Sequence, residues 1–255
     1  MVTKVTIAGV ELDVTERGSG RPLLFLHAGE GLGPERPWLD LLAQRHRVIA
    51  PAHPGFGSAL PDWLGSVDDL AYLYLDLADK LDLQDAVIVG ASFGGWVAAE
   101  MLVRQSARFS QAVLVAPLGI KVSGRDVRDI ADMHAMSRAE FLAAAWADPA
   151  KGEIDATSLT DTALRAVVSG RESLCLFGWR PYMHNPRLKP WLHRIAPPVL
   201  LVWGEADRIL TPAYKAGWEA SLGNARSVTL AGAGHFPHWE RPESFAAAVA
   251  DVTRR

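Results

Sequence analysis

Ser92 lies in Gly90-Ala91-Ser92-Phe93-Gly94-Gly95, a G-x-S-x-G arrangement that directly follows the apolar run Ala86-Val87-Ile88-Val89. A strand that turns sharply into a helix forces its central residue into a strained backbone conformation. Side chains two positions to either side would collide, which explains glycine at 90 and 94. Such a turn lifts the serine above a sheet, at a helix N-terminus whose partial positive charge favours a developing oxyanion. The chemistry suggested is nucleophilic attack by a hydroxyl. A serine hydroxyl is a poor nucleophile at neutral pH, so a base and an acid that orients the base must be found.

Both are expected downstream of the serine, acid first. After the apolar run Val199 to Trp203 comes Gly204-Glu205-Ala206-Asp207, which puts Asp207 in a loop at the C-terminal end of a strand. Asp207 is the predicted acid, with Glu205 as the alternative. His235 and His238 are the histidines that follow it. His235, in the glycine turn Ala231-Gly-Ala-Gly-His235, can swing between acid and serine and is the predicted base. His238, on the approach to the last helix, is expected to pack or hydrogen-bond locally. A tetrahedral oxyanion needs two N–H donors. One is expected from Phe93 and the other from the loop His27-Ala28-Gly29-Glu30-Gly31, with Gly29 preferred and Ala28 the alternative. His27 and His53 each end a strand before a glycine-containing turn, where a loop-bracing hydrogen bond accounts for them. No cluster of His, Cys and acids stands at ligand spacing, so neither metal nor cofactor is expected.

The elements that must hold these residues follow from periodicity. Val2 to Ile7 and Val10 to Glu16 alternate apolar and polar residues around Ala8-Gly9, as in a hairpin. The later runs, Leu23–Leu26, Val48–Ala50, Ala86–Val89, Val113–Val115 and Val199–Trp203, are continuously apolar, as in strands covered on both faces by helices. Ser66-Val-Asp-Asp69 resembles a capping box, followed by Val67, Leu70, Tyr74, Leu77 and Leu81 at helical spacing. Thr211-Pro212 is a further helix start, and Phe245, Ala248, Val249 and Val252 form the stripe of the last helix. Strand and helix thus alternate in an α/β, mainly parallel, doubly wound sheet.

One segment interrupts the alternation. Residues 118–196 are too long for a crossover and too rich in helix formers for a loop, and are read as a helical lid inserted into a core of 1–117 and 197–255. Phe141, Trp146, Phe177, Trp179, Tyr182 and Trp191 supply much aromatic surface there. Phe141, Trp146, Trp179 and Tyr182 are the expected substrate-pocket residues.

With 26 Lys and Arg against 29 Asp and Glu, a net charge of −3 and no block of like charge, nucleic acid is not an expected partner. The lone Cys175 excludes an internal disulfide, fits a reducing compartment and reads as a small buried hydrophobe. No apolar stretch approaches the roughly 20 residues that span a bilayer. The N-terminus reads as a strand pair and not as a signal peptide. The expectation is a cytoplasmic monomer or homodimer with a small-molecule partner and no membrane.

Taken together, the elbow at Gly90–Gly94, the loop His27–Gly31, His53-Pro-Gly55-Phe-Gly57, Trp203–Asp207 and Gly234-His235-Phe-Pro-His-Trp-Glu240 resemble the α/β-hydrolase family over nearly the whole chain. Glycine usually follows the strand-end histidine in that family, so Ala28 is a departure. The resemblance is to the branch of small carboxylesterases, lactonases and hydrolases that cleave carbon–carbon bonds of ring-fission products. The last group typically carries Asn before the nucleophile and Trp after the histidine, where this chain has Ala91 and Phe236. Haloalkane dehalogenases and epoxide hydrolases use an Asp nucleophile, against Ser92. The resemblance therefore implies hydrolysis of a small carboxylic ester through an acyl-enzyme on Ser92. Two other readings stand beside it: hydrolysis of a diketone acid, with a lid arginine such as Arg180 pairing the substrate carboxylate, and a non-catalytic ligand-binding protein of the same fold.

Overall fold

The continuously apolar runs become the inner strands of one eight-stranded sheet in a computed structural model that describes residues 1–33 and 36–254. β1 (Val2–Ile7) and β2 (Val10–Arg17) form an antiparallel hairpin. Ala8 and Gly9 both take positive φ, 47° and 81°, as a two-residue turn between twisted strands requires. The remaining strands are β3 (Pro22–Leu26), β4 (Arg47–Pro51), β5 (Ala86–Ala91), β6 (Phe109–Val115), β7 (Val199–Gly204) and β8 (Ala225–Leu230). Their order in the sheet is β1-β2-β4-β3-β5-β6-β7-β8. β2 meets β4 antiparallel, and every pairing from β4 onward is parallel. β5 and β7 are buried at all six positions, because helices cover both faces of the sheet there. This is the α/β-hydrolase fold, with its N-terminal antiparallel hairpin.

Local chemistry starts the helices. α1 spans Pro37–Ala43. α2 (Val67–Lys80) opens on a capping box, with the Asp69 N–H donating to Ser66 Oγ at 3.1 Å and the Ser66 N–H to Asp69 Oδ2 at 3.0 Å. α3 (Phe93–Arg104) leaves the sheet at Ser92. Between β6 and β7 lie α4 (Arg138–Ala145), a short 3-10 turn at Pro149–Gly152, α5 (Asp161–Gly178) and a 3-10 helix at Lys189–Arg194. α6 (Pro212–Ser221) is capped by Thr211, whose Oγ1 accepts the Tyr214 N–H at 3.2 Å. α7 (Pro237–Glu240) and α8 (Pro242–Thr253) close the chain. Within α8, Phe245, Val249 and Ala250 are buried, while the expected stripe residues Ala248 and Val252 are only half-buried. No helix among the described residues is long and apolar enough to cross a membrane.

Candidate active site

Ser92 sits between β5 and α3 with φ 49° and ψ −111°, a conformation that a non-glycine residue adopts only when its surroundings enforce it. They do so through both sides of its peptide. The Ser92 N–H donates to the Val115 carbonyl at 2.7 Å, and the Ser92 carbonyl accepts from the N–H groups of Gly95, Leu118 and Trp96 at 3.0, 3.1 and 3.2 Å. A Cβ on Gly90 would strike the Gly94 carbonyl, and one on Gly94 would strike the carbonyls of Leu26 and His27. The missing side chain at 94 is therefore what lets α3 abut the end of β3.

The turn brings Ser92 Oγ to 2.8 Å from His235 Nε2, and His235 Nδ1 lies 3.0 Å from Asp207 Oδ2. All three residues are buried. Pairing with the carboxylate puts the imidazole proton on Nδ1, so the Nε2 lone pair faces the serine hydroxyl. Asp207 Oδ1 is held by the N–H groups of Ile209 at 2.8 Å and Leu210 at 3.3 Å. Burial alone would raise the Asp207 carboxyl, but the charge and hydrogen bond of His235, the Lys215 charge and the Ile209 N–H outweigh it and hold the group below its ordinary value. Glu205 is exposed and accepts the Gly232 N–H at 3.3 Å, away from this line.

Behind the loop after β3 runs a buried relay. The Tyr74 hydroxyl donates to His53 Nδ1 at 2.5 Å, and His53 Nε2–H donates to the His27 carbonyl at 3.0 Å. The His53 N–H donates to His27 Nε2 at 2.8 Å, and His27 Nδ1–H donates to the Ala28 carbonyl at 2.7 Å. These partners are satisfied only with both imidazoles neutral. Burial pushes His27 down to about 4 and His53 well below its ordinary value. His238 makes no such bond through Nδ1. It packs among Phe25, Trp38, Phe236 and Phe245, where burial lowers it to about 3.

The inserted segment supports the same site. The Ala144 and Ala145 carbonyls, at the end of α4, accept the N–H groups of Arg208 at 3.0 Å and His235 at 2.6 Å. The buried Glu240 carboxylate accepts from Gly234 at 2.6 Å and from Ala147 and Asp148 at 3.0 Å each, which joins the histidine loop to the chain beyond α4. α5 lies over the loop and elbow through its buried face of Gly170, Ser173, Leu174 and Phe177. Phe56 packs on Gly170, Ser173 on Gly55, Leu174 on Gly29 and Phe177 on Phe93. The sequence places Tyr74 in the helical stripe and Glu240 in the histidine motif without giving either a role, and does not single out Ala145. A tyrosine hydroxyl inside the apolar stripe of α2 and an acid six residues beyond Gly234 were the available signals.

The four expected pocket aromatics do not gather in one place. Phe141 is buried under the Arg138 guanidinium, and Trp146 packs on Phe236, which stands edge-on to His235. Trp179 and Tyr182 instead line a cavity of about 280 Å³ with Lys121, Asp129 and His184, to which none of Ser92, Asp207 and His235 contributes. Tyr182 ties the insertion to itself, accepting the Met133 N–H at 2.8 Å and donating to the Ala131 carbonyl at 2.9 Å. Trp179 is exposed. Aromatic content alone could not tell self-packing from pocket lining. Cys175, expected to be buried, is half-buried with Sγ 3.2 Å from His134 Nδ1.

Comparison with known proteins agrees with the fold. The chain is 28% identical over 252 residues to the dihydrolipoyllysine-residue acetyltransferase component of the acetoin cleaving system of Cupriavidus necator, covering 94% of this chain and 65% of that longer protein. It is 26% identical over 270 residues to a 2-hydroxy-6-oxo-6-phenylhexa-2,4-dienoate hydrolase of Comamonas testosteroni, covering 94% of this chain and 90% of the relative. Among solved structures it resembles naproxen esterase of Bacillus subtilis, with a TM-score of 0.76, 18% identity, and 98% and 90% of the two chains covered. The model of the alpha/beta hydrolase family matches residues 23–248, and the chain belongs to that family.

Proposed function

We propose that the protein is a serine hydrolase that cleaves small carboxylic esters, with Ser92 as nucleophile, His235 as general base and Asp207 as the acid that orients it. The observation that carries the reading is the continuous line from Ser92 Oγ through His235 to Asp207, with separations of 2.8 and 3.0 Å. His235 Nε2 takes the hydroxyl proton as Oγ attacks the ester carbonyl, and Asp207 stabilises the imidazolium that forms. His235 then returns the proton to the departing alcohol, leaving an acyl group on Ser92. A water deprotonated by His235 releases the acid.

The oxyanion is met by the N–H groups of Phe93 and Gly29. Phe93 heads α3, where the first N–H groups have no partner inside the helix. The Ala28 carbonyl is held by His27 Nδ1–H and the Gly31 N–H, at 2.7 and 3.0 Å, which fixes the plane of the Ala28–Gly29 peptide. In a trans peptide the N–H points opposite the carbonyl, so the Gly29 donor is held in a set direction. The neighbouring Ala28 N–H is the alternative donor. The segment 118–196 acts as a lid whose helix α5 roofs the elbow, so the acyl group meets Leu174 and Phe177 rather than Trp179 or Tyr182.

A panel of p-nitrophenyl esters from acetate upward tests the reading. Turnover that disappears in Ser92→Ala is expected, and turnover that survives the substitution contradicts it.

A second reading, hydrolysis of a ring-fission diketone acid, is favoured by the Comamonas relative, which is similar over nearly its whole length. Against it, Arg180 is exposed and lines a cavity to which Ser92, Asp207 and His235 do not contribute. Faster cleavage of a diketone acid than of any ester in the panel would make this the better description.

A further inference from the structure

Within the insertion between β6 and β7 lies a cavity of about 280 Å³ to which neither the proposed triad nor the loop after β3 contributes, and ester cleavage as described does not use it. Ile120, Val127 and Ile130 are its apolar walls, and Trp179 and Tyr182 border it from the chain that leaves α5. Its frame is set by the protein alone. Asp129 is buried, and its carboxylate accepts from the N–H groups of Val122 at 2.8 Å and Ser123 at 3.1 Å and from Lys121 Nζ at 3.0 Å, which closes the loop 121–129 on itself. The Lys121 ammonium also donates to the Val127 carbonyl. The Thr211 N–H donates to the Asp129 carbonyl at 3.1 Å and the Ala131 N–H to the Ile209 carbonyl at 2.8 Å, so this wall is anchored to the segment that follows Asp207.

Most polar groups of the lining are already engaged. Asp129 holds Lys121, Arg128 pairs with Asp132 at 3.0 Å, and the Tyr182 hydroxyl is bonded to backbone groups of Ala131 and Met133. One lining cation is left over. Arg125, on the closed loop, forms no hydrogen bond and no ion pair among the described residues. Trp179 is 58% exposed, so much of its indole is uncovered beside that guanidinium's cavity. These two groups specify a ligand. A guanidinium fork takes a carboxylate through two parallel hydrogen bonds, and an indole face takes a flat apolar ring. Lys121, Arg125 and Arg128 together disfavour a cationic ligand, while Asp129 and Asp132 disfavour more than one negative charge. The volume is at the small end of ligand pockets, which begin at ~300 Å³, and suits a single ring with its carboxylate. We propose that the cavity is a second binding site, distinct from the Ser92 site, that takes a monocyclic aromatic carboxylate with its charge on Arg125 and its ring on Trp179. The assignment goes beyond the serine hydrolase reading and does not rest on it.

Fluorine NMR of p-fluorobenzoate titrated with the protein reads the binding directly. Saturable broadening is expected with the wild type, and the neutral isostere p-fluorobenzamide should bind about tenfold or more weakly, as loss of a charge-assisted hydrogen bond implies. Arg125→Gln should weaken p-fluorobenzoate by about the same factor at an unchanged melting temperature. Trp179→Ala should weaken acid and amide alike, because it removes the surface for the ring and leaves the guanidinium. No saturable binding at millimolar ligand, an amide that binds as well as the acid, or an Arg125→Gln protein that binds like the wild type overturns the assignment. Binding that vanishes once Ser92 carries a fluorophosphonate adduct also overturns it, by putting the acid in the Ser92 site. Binding that persists on the adduct supports it. Failure of the adduct to form counts against the hydrolase reading alone.

Discussion

The N–H of His235 donates to the carbonyl of Ala145, the last residue of α4, at 2.6 Å. The histidine proposed as base is thus held from outside the sheet, by the end of a helix that belongs to the insertion. The end of α4 and the proposed base are mechanically one unit. A disturbance of the chain near Ala145 should reach the chemistry through the backbone of His235, whether or not a side chain of α4 touches the substrate.

Glu240 is the sharpest test of this coupling. Its carboxylate satisfies buried N–H groups of Gly234, Ala147 and Asp148 at once. Glu240→Ala leaves these donors unpaired, and a loss of stability on the order of 3–5 kcal/mol is expected. Glu240→Gln, which keeps one acceptor oxygen, should lose less. Urea unfolding measures the difference, and an Ala variant as stable as the Gln variant would argue against the clamp.

The relay behind the loop after β3, the proposed source of an oxyanion donor, makes a kinetic prediction. Tyr74→Phe removes the hydroxyl that donates to His53 Nδ1, and so loosens the ring whose Nε2–H holds the His27 carbonyl. Misdirected oxyanion donors weaken transition-state binding more than ground-state binding. A fall in kcat of about tenfold, with KM changed less than threefold, is expected from ester kinetics. A change confined to KM would show that the relay shapes the pocket and not the oxyanion hole.

Buried neutral histidines set the response to acid. His27 and His238 are pushed down to about 4 and about 3 from an ordinary 6.5, and His53 also lies well below it. Below pH 6.5 the unfolded chain takes up protons that the folded chain refuses, so stability is complete above that pH and falls as pH drops towards 4. His27 alone accounts for a term on the order of 3 kcal/mol. His238→Phe should fill the same aromatic niche and remove one such group. Its melting temperature relative to wild type should therefore rise on going from pH 7.5 to pH 5, and a pH-independent difference would contradict the assignment.

Much of this was legible in the sequence where local chemistry decides. The Ala8-Gly9 turn, the Ser66–Asp69 box and the Thr211-Pro212 start depend on residues a few positions apart, and the structure has each. Ser92 and Asp207 could be named because each lies beyond an apolar run in a turn with little side-chain bulk, and His235 because it sits in a glycine turn downstream of the acid; parallel strands deliver such turns to one edge of the sheet. What could not be read depends on approach across the chain. Tyr74 and Glu240 matter through groups distant in sequence, and Trp179 and Tyr182 line a cavity to which Ser92, Asp207 and His235 do not contribute.

The most direct test of the central claim is the intact mass and peptide map of the protein after exposure to a fluorophosphonate. One adduct is expected, on the peptide that contains Ser92, and it should be absent in Ser92→Ala and strongly slowed in His235→Ala. No adduct on the folded wild type, or an adduct that persists in Ser92→Ala, would contradict the account.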